Sequence, residues 1–290
     1  MQTINTDSKK TVCGVTVLYN PQKNVIYNIN SYLEQIDYLY IIDNSEKFSD
    51  FIKSYYEASK KVEYISNKSN LGIAAALNIG AHKALEKGFQ YLLTMDQDSK
   101  APSFMVESLL NTALSNVDVG IVSPKHSNKF GTHINIPVTK DVVRVMTSGN
   151  LLFLEAYNVA GDYNEDYFID YIDIDYCMRL HHLGFKVIQL EKVILEHNEA
   201  NIVEKTLFKK KFYPTNNPPF RWYYKSRNLL YLRKQYRKIF PGQCREELNI
   251  FIRNVVKILL FEDKKVLKIK MILVGILDYL KRKKGRKFLD

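Results

Sequence analysis

From residue 11 to about residue 125, short apolar runs alternate with helical stretches, and this alternation restricts the fold more than any other feature of the chain. The runs are VCGVTVLY, YLYIID, VEYIS and YLLTMD, and between them lie helical patterns over residues 25–35, 51–59 and about 71–87. Strands that are nearly continuous in apolar residues need cover on both faces, so the pattern predicts an α/β domain with a mostly parallel central sheet. Ligands of such sheets sit at the carboxyl ends of the strands. Polar residues fall at those ends: Asn20 after the first run, Asp43 and Asn44 after the second, Asn67 and Asn70 after the third, Asp96 and Asp98 after the fourth.

The fourth strand end, MDQDS, carries two carboxylates one residue apart. Once the backbone turns, both can converge on one hard divalent cation, Mg²⁺ or Mn²⁺, directly or through water. Such ions usually complete their shell with substrate phosphates, so a diphosphate ligand is implied. The alternative is a polar turn that caps the helix beginning near Pro102. Further on, Ser148-Gly149 in VMTSGNLLFL suggests a turn close to a ligand or another backbone. In YFIDYIDIDYCMRLHHLG, Asp170, Asp173 and Asp175 stand among aromatic residues, a setting that raises a carboxyl pKa and suits a general base. Asp175 reads instead as a helix N-cap. His197, at the end of VILEH, is either a packed histidine or a metal ligand.

With 290 residues and 46% hydrophobic content the chain can bury a sizeable core. Cys13, Cys177 and Cys244 are far apart and outside metal-ligand spacing, which suits a reducing compartment, and MQTINTDSKK lacks the apolar core of a signal peptide. Charge is unevenly spread: residues 201–290 carry 24 Lys+Arg against 7 Asp+Glu, while the remainder is net acidic. The basic, aromatic-rich tail points to a polyanionic partner, either an anionic membrane surface or nucleic acid. Its longest apolar run, MILVGIL, is far short of the ~20 residues that cross a bilayer. Amphipathic helices lying in the headgroup layer, or packed on the preceding domain, are both consistent with it.

Six segments in order, VTVLYNP, IIDNSE, NLGIAAALNIG, MDQDS, TSGNLLF and FIDYIDIDYCMR, resemble family 2 glycosyltransferases of the GT-A fold (nucleotide-diphospho-sugar transferase-like), and among them bacterial rhamnosyltransferases of cell-surface polysaccharide synthesis. The resemblance covers residues from about 11 to about 235. It implies a catalytic domain over 11–205, to which composition adds a loosely ordered stretch over 1–10 and a basic helical region over 206–290. Asp43 would read the pyrimidine edge of the donor nucleotide. Thr16, Tyr19, Asn44, Asn70, Gly72 and Asn78 would line its site, and Asp96 would contact ribose or metal-bound water. Asp98, Asp96 and His197 would hold Mn²⁺ or Mg²⁺, Asp173 would be the base, and Asp170, Ser148, Gly149 and Arg227 would meet acceptor or diphosphate. The implied reaction is inverting transfer, from dTDP-L-rhamnose or alternatively a UDP-sugar such as UDP-galactofuranose, to a lipid-linked saccharide. The implied setting is the cytoplasm, peripheral on the inner membrane face, with no nucleic acid as partner and self-association left open. A basic nucleic-acid-binding α/β protein is the competing class, and would show salt-sensitive DNA or RNA binding indifferent to Mn²⁺.

Overall fold

A computed structural model describes residues 11–47, 49–127, 139–197, 202–208 and 210–287; the expected loose N-terminus, residues 1–10, lies outside the described residues. In chain order the elements are β1 (Val12–Leu18), α1 (Val25–Leu33), β2 (Tyr38–Asp43), α2 (Asp50–Tyr56), β3 (Val62–Ser66), α3 (Ile73–Glu86), β4 (Tyr91–Asp96) and β5 (Ser99–Lys100). There follow α4 (Met105–Leu114), β6 (Val119–Ser127), β7 (Thr139–Asp141), β8 (Asn150–Phe153), α5 (Leu154–Ala160), α6 (Ile172–His182) and β9 (Lys186–His197). A short hairpin, β10 (Lys205–Leu207) and β11 (Lys210–Phe212), precedes α7 (Pro219–Tyr236), α8 (Pro241–Phe261) and α9 (Lys265–Leu280).

The main sheet runs β3-β2-β1-β4-β8-β6-β9-β5, with β7 also paired to β9. Strands β3, β2, β1 and β4 are parallel, β8 reverses against β4 and β6, and β9 again runs parallel to β6. Among the described strands of this sheet only β8, β7 and β5 oppose the common direction, so the sheet is mostly parallel, as the apolar alternation requires. The two-residue period of the strands sorts side chains between two cores. Val12, Leu39, Ile41, Leu93, Met95 and Leu151 enter the core beneath α1 and α4. Cys13, Val15, Tyr40, Ile42, Leu92 and Leu152 enter the core beneath α3, α5 and α6. Helix α3 lies so close on β1 that a Cβ at Gly80 would strike the Val15 side chain.

The basic tail forms three helices packed on the domain rather than a detached appendage. Trp222, Ile258 and Ile272 bury one another across α7, α8 and α9. At the α7–α9 crossing a Cβ on Gly275 would run into Ser226 and the Tyr223 backbone, so only glycine permits the approach. Among the described residues no helix is long and apolar enough to cross a membrane.

Candidate active site

The parallel strands end along one rim, and an antiparallel pairing brings a distant residue to it. β5 and β9 pair with Ser99 opposite His197, so the turn after β4 is carried directly against the end of β9. Asp96, Asp98 and His197 thereby offer ligand atoms that all lie within 4.8 Å of one another. His197 is nearly buried, with its Nδ1 3.5 Å from Asp98 Oδ1, whereas Asp98 is 44% exposed. Two carboxylates and an imidazole suit a divalent cation, and the electrostatics agree: burial, then the charge of Asp98, pushes the Asp96 carboxyl up to about 6, a repulsion that a cation would relieve.

A line of hydroxyls steadies this corner. The Asp96 N–H donates to Ser148 Oγ (3.0 Å), Ser148 Oγ donates to Ser99 Oγ (2.8 Å), and Ser99 Oγ bonds His197 Nδ1 (2.7 Å). His126 donates from Nε2 to the Ser148 carbonyl (2.7 Å) and stands edge-on to the His197 ring; burial pushes its pKa down to about 4, so it is neutral. Gly149 adopts φ 82, and a Cβ there would come within 2.7 Å of Pro124, so Ser148 is presented on a turn that needs glycine. Gln97 locks the acid turn to β1, accepting from the Tyr19 N–H (2.9 Å) and donating to the Tyr19 carbonyl (3.3 Å). The capping alternative for MDQDS does not hold: α4 begins at Met105, behind Phe104, and no side chain caps it.

On the neighbouring strand ends, buried Asp43 accepts from Tyr64 Oη (2.5 Å) and the Ser45 N–H (2.8 Å). Asn44 donates to the Gly72 carbonyl (2.9 Å), and Asn70 accepts from the Gly72 N–H (3.0 Å). Gly72 itself has φ 91 and passes within 2.7 Å of the Phe168 carbonyl measured from an added Cβ. Tyr19 is half exposed at the rim, while Thr16 is buried against Tyr32 Oη (2.7 Å). Asn78 does not join this group. Its amide donates to the Tyr163 carbonyl and Glu165 and accepts from the Tyr163 N–H and Tyr157 Oη, which uses it as a brace beneath residues 157–165.

The third part of the site is the loop entering α6. Phe168, Asp170 and Tyr171 all have positive φ (63, 65 and 69), a conformation that costs each non-glycine residue of order 1 kcal/mol. Helix α7 holds the loop in place. Asn228 donates to the carbonyls of Tyr167 (2.9 Å), Ile169 (2.8 Å) and Asp170 (3.0 Å), and buried Arg227 donates to those of Asp166, Tyr167 and Gly285. Arg227 is therefore placed on loop carbonyls and not at the cleft. Asp173, in the first turn of α6, is half-buried; burial raises its carboxyl to about 6 although the Ile174 N–H (2.9 Å) counters. Its charge is felt at Asp96, so the isolated acid stands near enough to the acid pair to interact with it. Asp170 pairs with Arg221 (2.5 Å) and Lys225 (3.4 Å); burial works against its charge, but these cations outweigh it and hold the carboxyl below its ordinary value. Asp175 is not the N-cap: it is buried within α6 on Arg179 (2.6 Å) and Tyr236 Oη (3.2 Å).

Asp96, Asp98 and His197 could together hold a divalent cation, and Asp173 could accept a proton, on the scaffold of a GT-A-fold glycosyltransferase. Residues 14–162, just over half of the chain, match the family described as Glycosyl transferase family 2, and the chain belongs to that family. It is 29% identical over 248 residues to the dTDP-rhamnosyl transferase RfbF of Shigella flexneri, across 78% of this chain and 81% of that protein. Among solved structures, GalNAc-T7 with UDP, GalNAc and Mn²⁺ is similar with a TM-score of 0.60 at 14% identity, over 96% of this chain and 55% of that one. The chain thus spans about half of that structure's length. TarS of S. aureus, residues 1–349, is similar with a TM-score of 0.53 at 11% identity, over 93% of this chain and 72% of that one. At such identities the likeness establishes the fold.

Proposed function

We propose that the chain is an inverting, divalent-metal-dependent rhamnosyltransferase that moves L-rhamnose from dTDP-L-rhamnose to a hydroxyl of a lipid-linked saccharide. The observation that carries this is the meeting of Asp96, Asp98 and His197 within 4.8 Å of one another, at a strand end where the charge of Asp173 is also felt. The donor is suggested by the relative that transfers from dTDP-rhamnose. A bound cation would neutralise charge on the departing diphosphate. The imidazole favours Mn²⁺ over Mg²⁺, since Mg²⁺ prefers an all-oxygen shell. Asp173 takes the proton from the acceptor hydroxyl as that oxygen bonds the anomeric carbon; the carbon–oxygen bond to the diphosphate breaks, its electron pair leaves with dTDP, and the configuration inverts.

Saturation binding of a panel of nucleotide sugars should favour dTDP-L-rhamnose, in the presence of Mn²⁺, and EDTA should weaken it about tenfold or more. Stronger binding of UDP-galactofuranose or another UDP-sugar would replace the donor, and binding of none would remove the reading.

We propose further that the enzyme docks on the inner face of the cell membrane through α8 and α9. Ile252, Val256 and Leu259 on α8 and Leu273, Leu277 and Leu280 on α9 repeat at i, i+4 and i+7, and each is about half exposed or more. Exposed Lys264, Lys265, Lys270 and Lys281 accompany them, the composition of an interfacial surface. Vesicles containing phosphatidylglycerol should sediment the protein in low salt and phosphatidylcholine vesicles should not. Leu259→Asp with Leu277→Asp should abolish sedimentation, and unchanged binding would leave the surface without this role.

A further inference from the structure

The chain leaves α9 through a turn that sends it back over the catalytic domain. Arg282 is left-handed (φ 58); its N–H donates to the Tyr279 carbonyl (2.9 Å) and the Lys283 N–H to the Asp278 carbonyl (2.9 Å), the pairing that closes a helix end and reverses the chain. Residues 283–287 then run back along α7. The Lys283 carbonyl accepts from Tyr231 Oη (3.1 Å), and the Lys287 N–H donates to Tyr224 Oη (2.9 Å). Between these two anchors the segment fastens to the loop that enters α6. The Gly285 N–H donates to the Asp166 carbonyl (2.7 Å), the Gly285 carbonyl accepts from Arg227 (2.7 Å), and Lys284 pairs with the Asp166 carboxylate (2.6 Å). Arg286 goes further, to the turn between β3 and α3: its Nη1 donates to the Asn70 carbonyl (3.0 Å), 216 residues away in the chain, and its guanidinium lies 5.9 Å from the centre of the Phe168 ring.

That turn has little apolar surface to hold it. Lys68 and Gly72 are left-handed (φ 53 and 91), and Leu71 between them is 45% exposed, so its shape depends on polar ties. Asn44 donates to the Gly72 carbonyl from the strand rim, and the Ile73 N–H donates to the Phe168 carbonyl (3.0 Å). Arg286 adds a charge-assisted bond on the side away from Asn44, and it stands on the same Phe168 that the turn leans against. We infer that residues 283–287 are a working part of the donor site, with Arg286 as a positioning residue that holds the Asn70–Gly72 turn in the form that receives the nucleotide. It acts through the turn and not by touching the ligand. This rests on the glycosyltransferase reading above, in which Asn44, Asn70 and Gly72 line the nucleotide site, and extends that site to a segment beyond α9.

Calorimetry of dTDP binding in the presence of Mn²⁺ tests this. Arg286→Ala should weaken binding about 5- to 30-fold, the loss of one hydrogen bond from a charged donor. Arg286→Lys should recover part of that loss, and millimolar guanidinium chloride should restore Arg286→Ala where sodium chloride does not. Gly285→Pro removes the N–H given to Asp166 and excludes φ 69, so it frees the segment with Arg286 intact. It should weaken dTDP by a similar factor, and joining it to Arg286→Ala should add less than about 2-fold, because both act through one contact. Arg282→Asn removes a neighbouring charge, tolerates the left-handed turn and should leave binding within about 2-fold. Equal weakening by Arg282→Asn would reduce the effect to net charge and overturn the inference, as would fully additive losses in the double variant or parental affinity in Arg286→Ala. Failure of the unaltered protein to bind dTDP or UDP at all would instead sink the glycosyl-transfer reading, and this inference with it.

Discussion

Asp98→Ala is expected to lower transfer about a thousand-fold, because a cation bound by one acid fewer supplies several kcal/mol less stabilisation to the departing charge. The fold should survive. The Asp98 side chain is 44% exposed, so its removal leaves no buried hole, and the charge that raises the neighbouring Asp96 disappears with it. In EDTA the variant should therefore melt no lower than the parent. The difference appears on adding Mn²⁺: a site filled at about 100 times its dissociation constant stabilises the parent by roughly 2.7 kcal/mol, and the variant should gain little of this. Asp98→Asn, which keeps an oxygen ligand and loses the charge, should fall between the two. Turnover at the parental rate by Asp98→Ala, with an unchanged Mn²⁺-dependent melting shift, would take the cation away from these residues.

The parts of this site that local pattern can express are legible in the sequence. An apolar run stopping at a polar residue marks a strand end whatever the rest of the chain does, so Asp43, Asn44, Asn70 and Asp96 were placeable on one rim. The metal corner was less so. His197 reaches Asp98 because Ser99 pairs opposite it across nearly a hundred residues, and no periodicity encodes that register. His126 has the same difficulty: it too follows an apolar run, but its value lies in a bond to the Ser148 carbonyl and an edge against His197. The places of Asn78 and Arg227 are illegible in the sequence for the opposite reason. Polar residues beside a ligand-binding motif are as easily explained by a ligand as by a carbonyl that needs a donor, and both turned out to satisfy loops of their own chain. Arg221 and Arg227 share one basic stretch, and only the turn of α7 separates the one that grips the Asp170 carboxylate from the one that holds the loop carbonyls. The positive φ of Phe168 and Tyr171 has no cue, since neither is glycine, asparagine or aspartate, and Asp170, whose residue type visits this region more readily, offers only a weak one; Asn228 holds the loop from sixty residues away.

Asp173→Asn tests the other end of the cleft. Amide for carboxylate keeps size and hydrogen-bonding shape but removes the proton acceptor, so transfer should fall about 10²- to 10⁴-fold while nucleotide affinity stays within a few-fold. The pH dependence separates a base from a residue that merely positions the acceptor. Burial raises the Asp173 carboxyl from 3.8 to about 6, and only the ionised form can accept a proton, so the parental rate should rise with pH and reach half its plateau near 6. Asp96 is raised to a similar value, so the profile is to be taken at saturating Mn²⁺, which keeps that acid ionised and leaves Asp173 to set the limb. Residual activity in the variant should lack this limb. Stability moves the other way. A carboxyl held more tightly protonated in the folded state contributes stability that is complete below its unfolded pKa and is lost as pH rises through about 6. At pH 8 the parent therefore carries an ionised acid in a site that disfavours it, and Asp173→Asn should melt no lower than the parent. A variant that transfers at the parental rate with the same pH limb would pass the role of base to another acid of the cleft, and one that loses nucleotide binding together with transfer would make Asp173 part of the donor site instead.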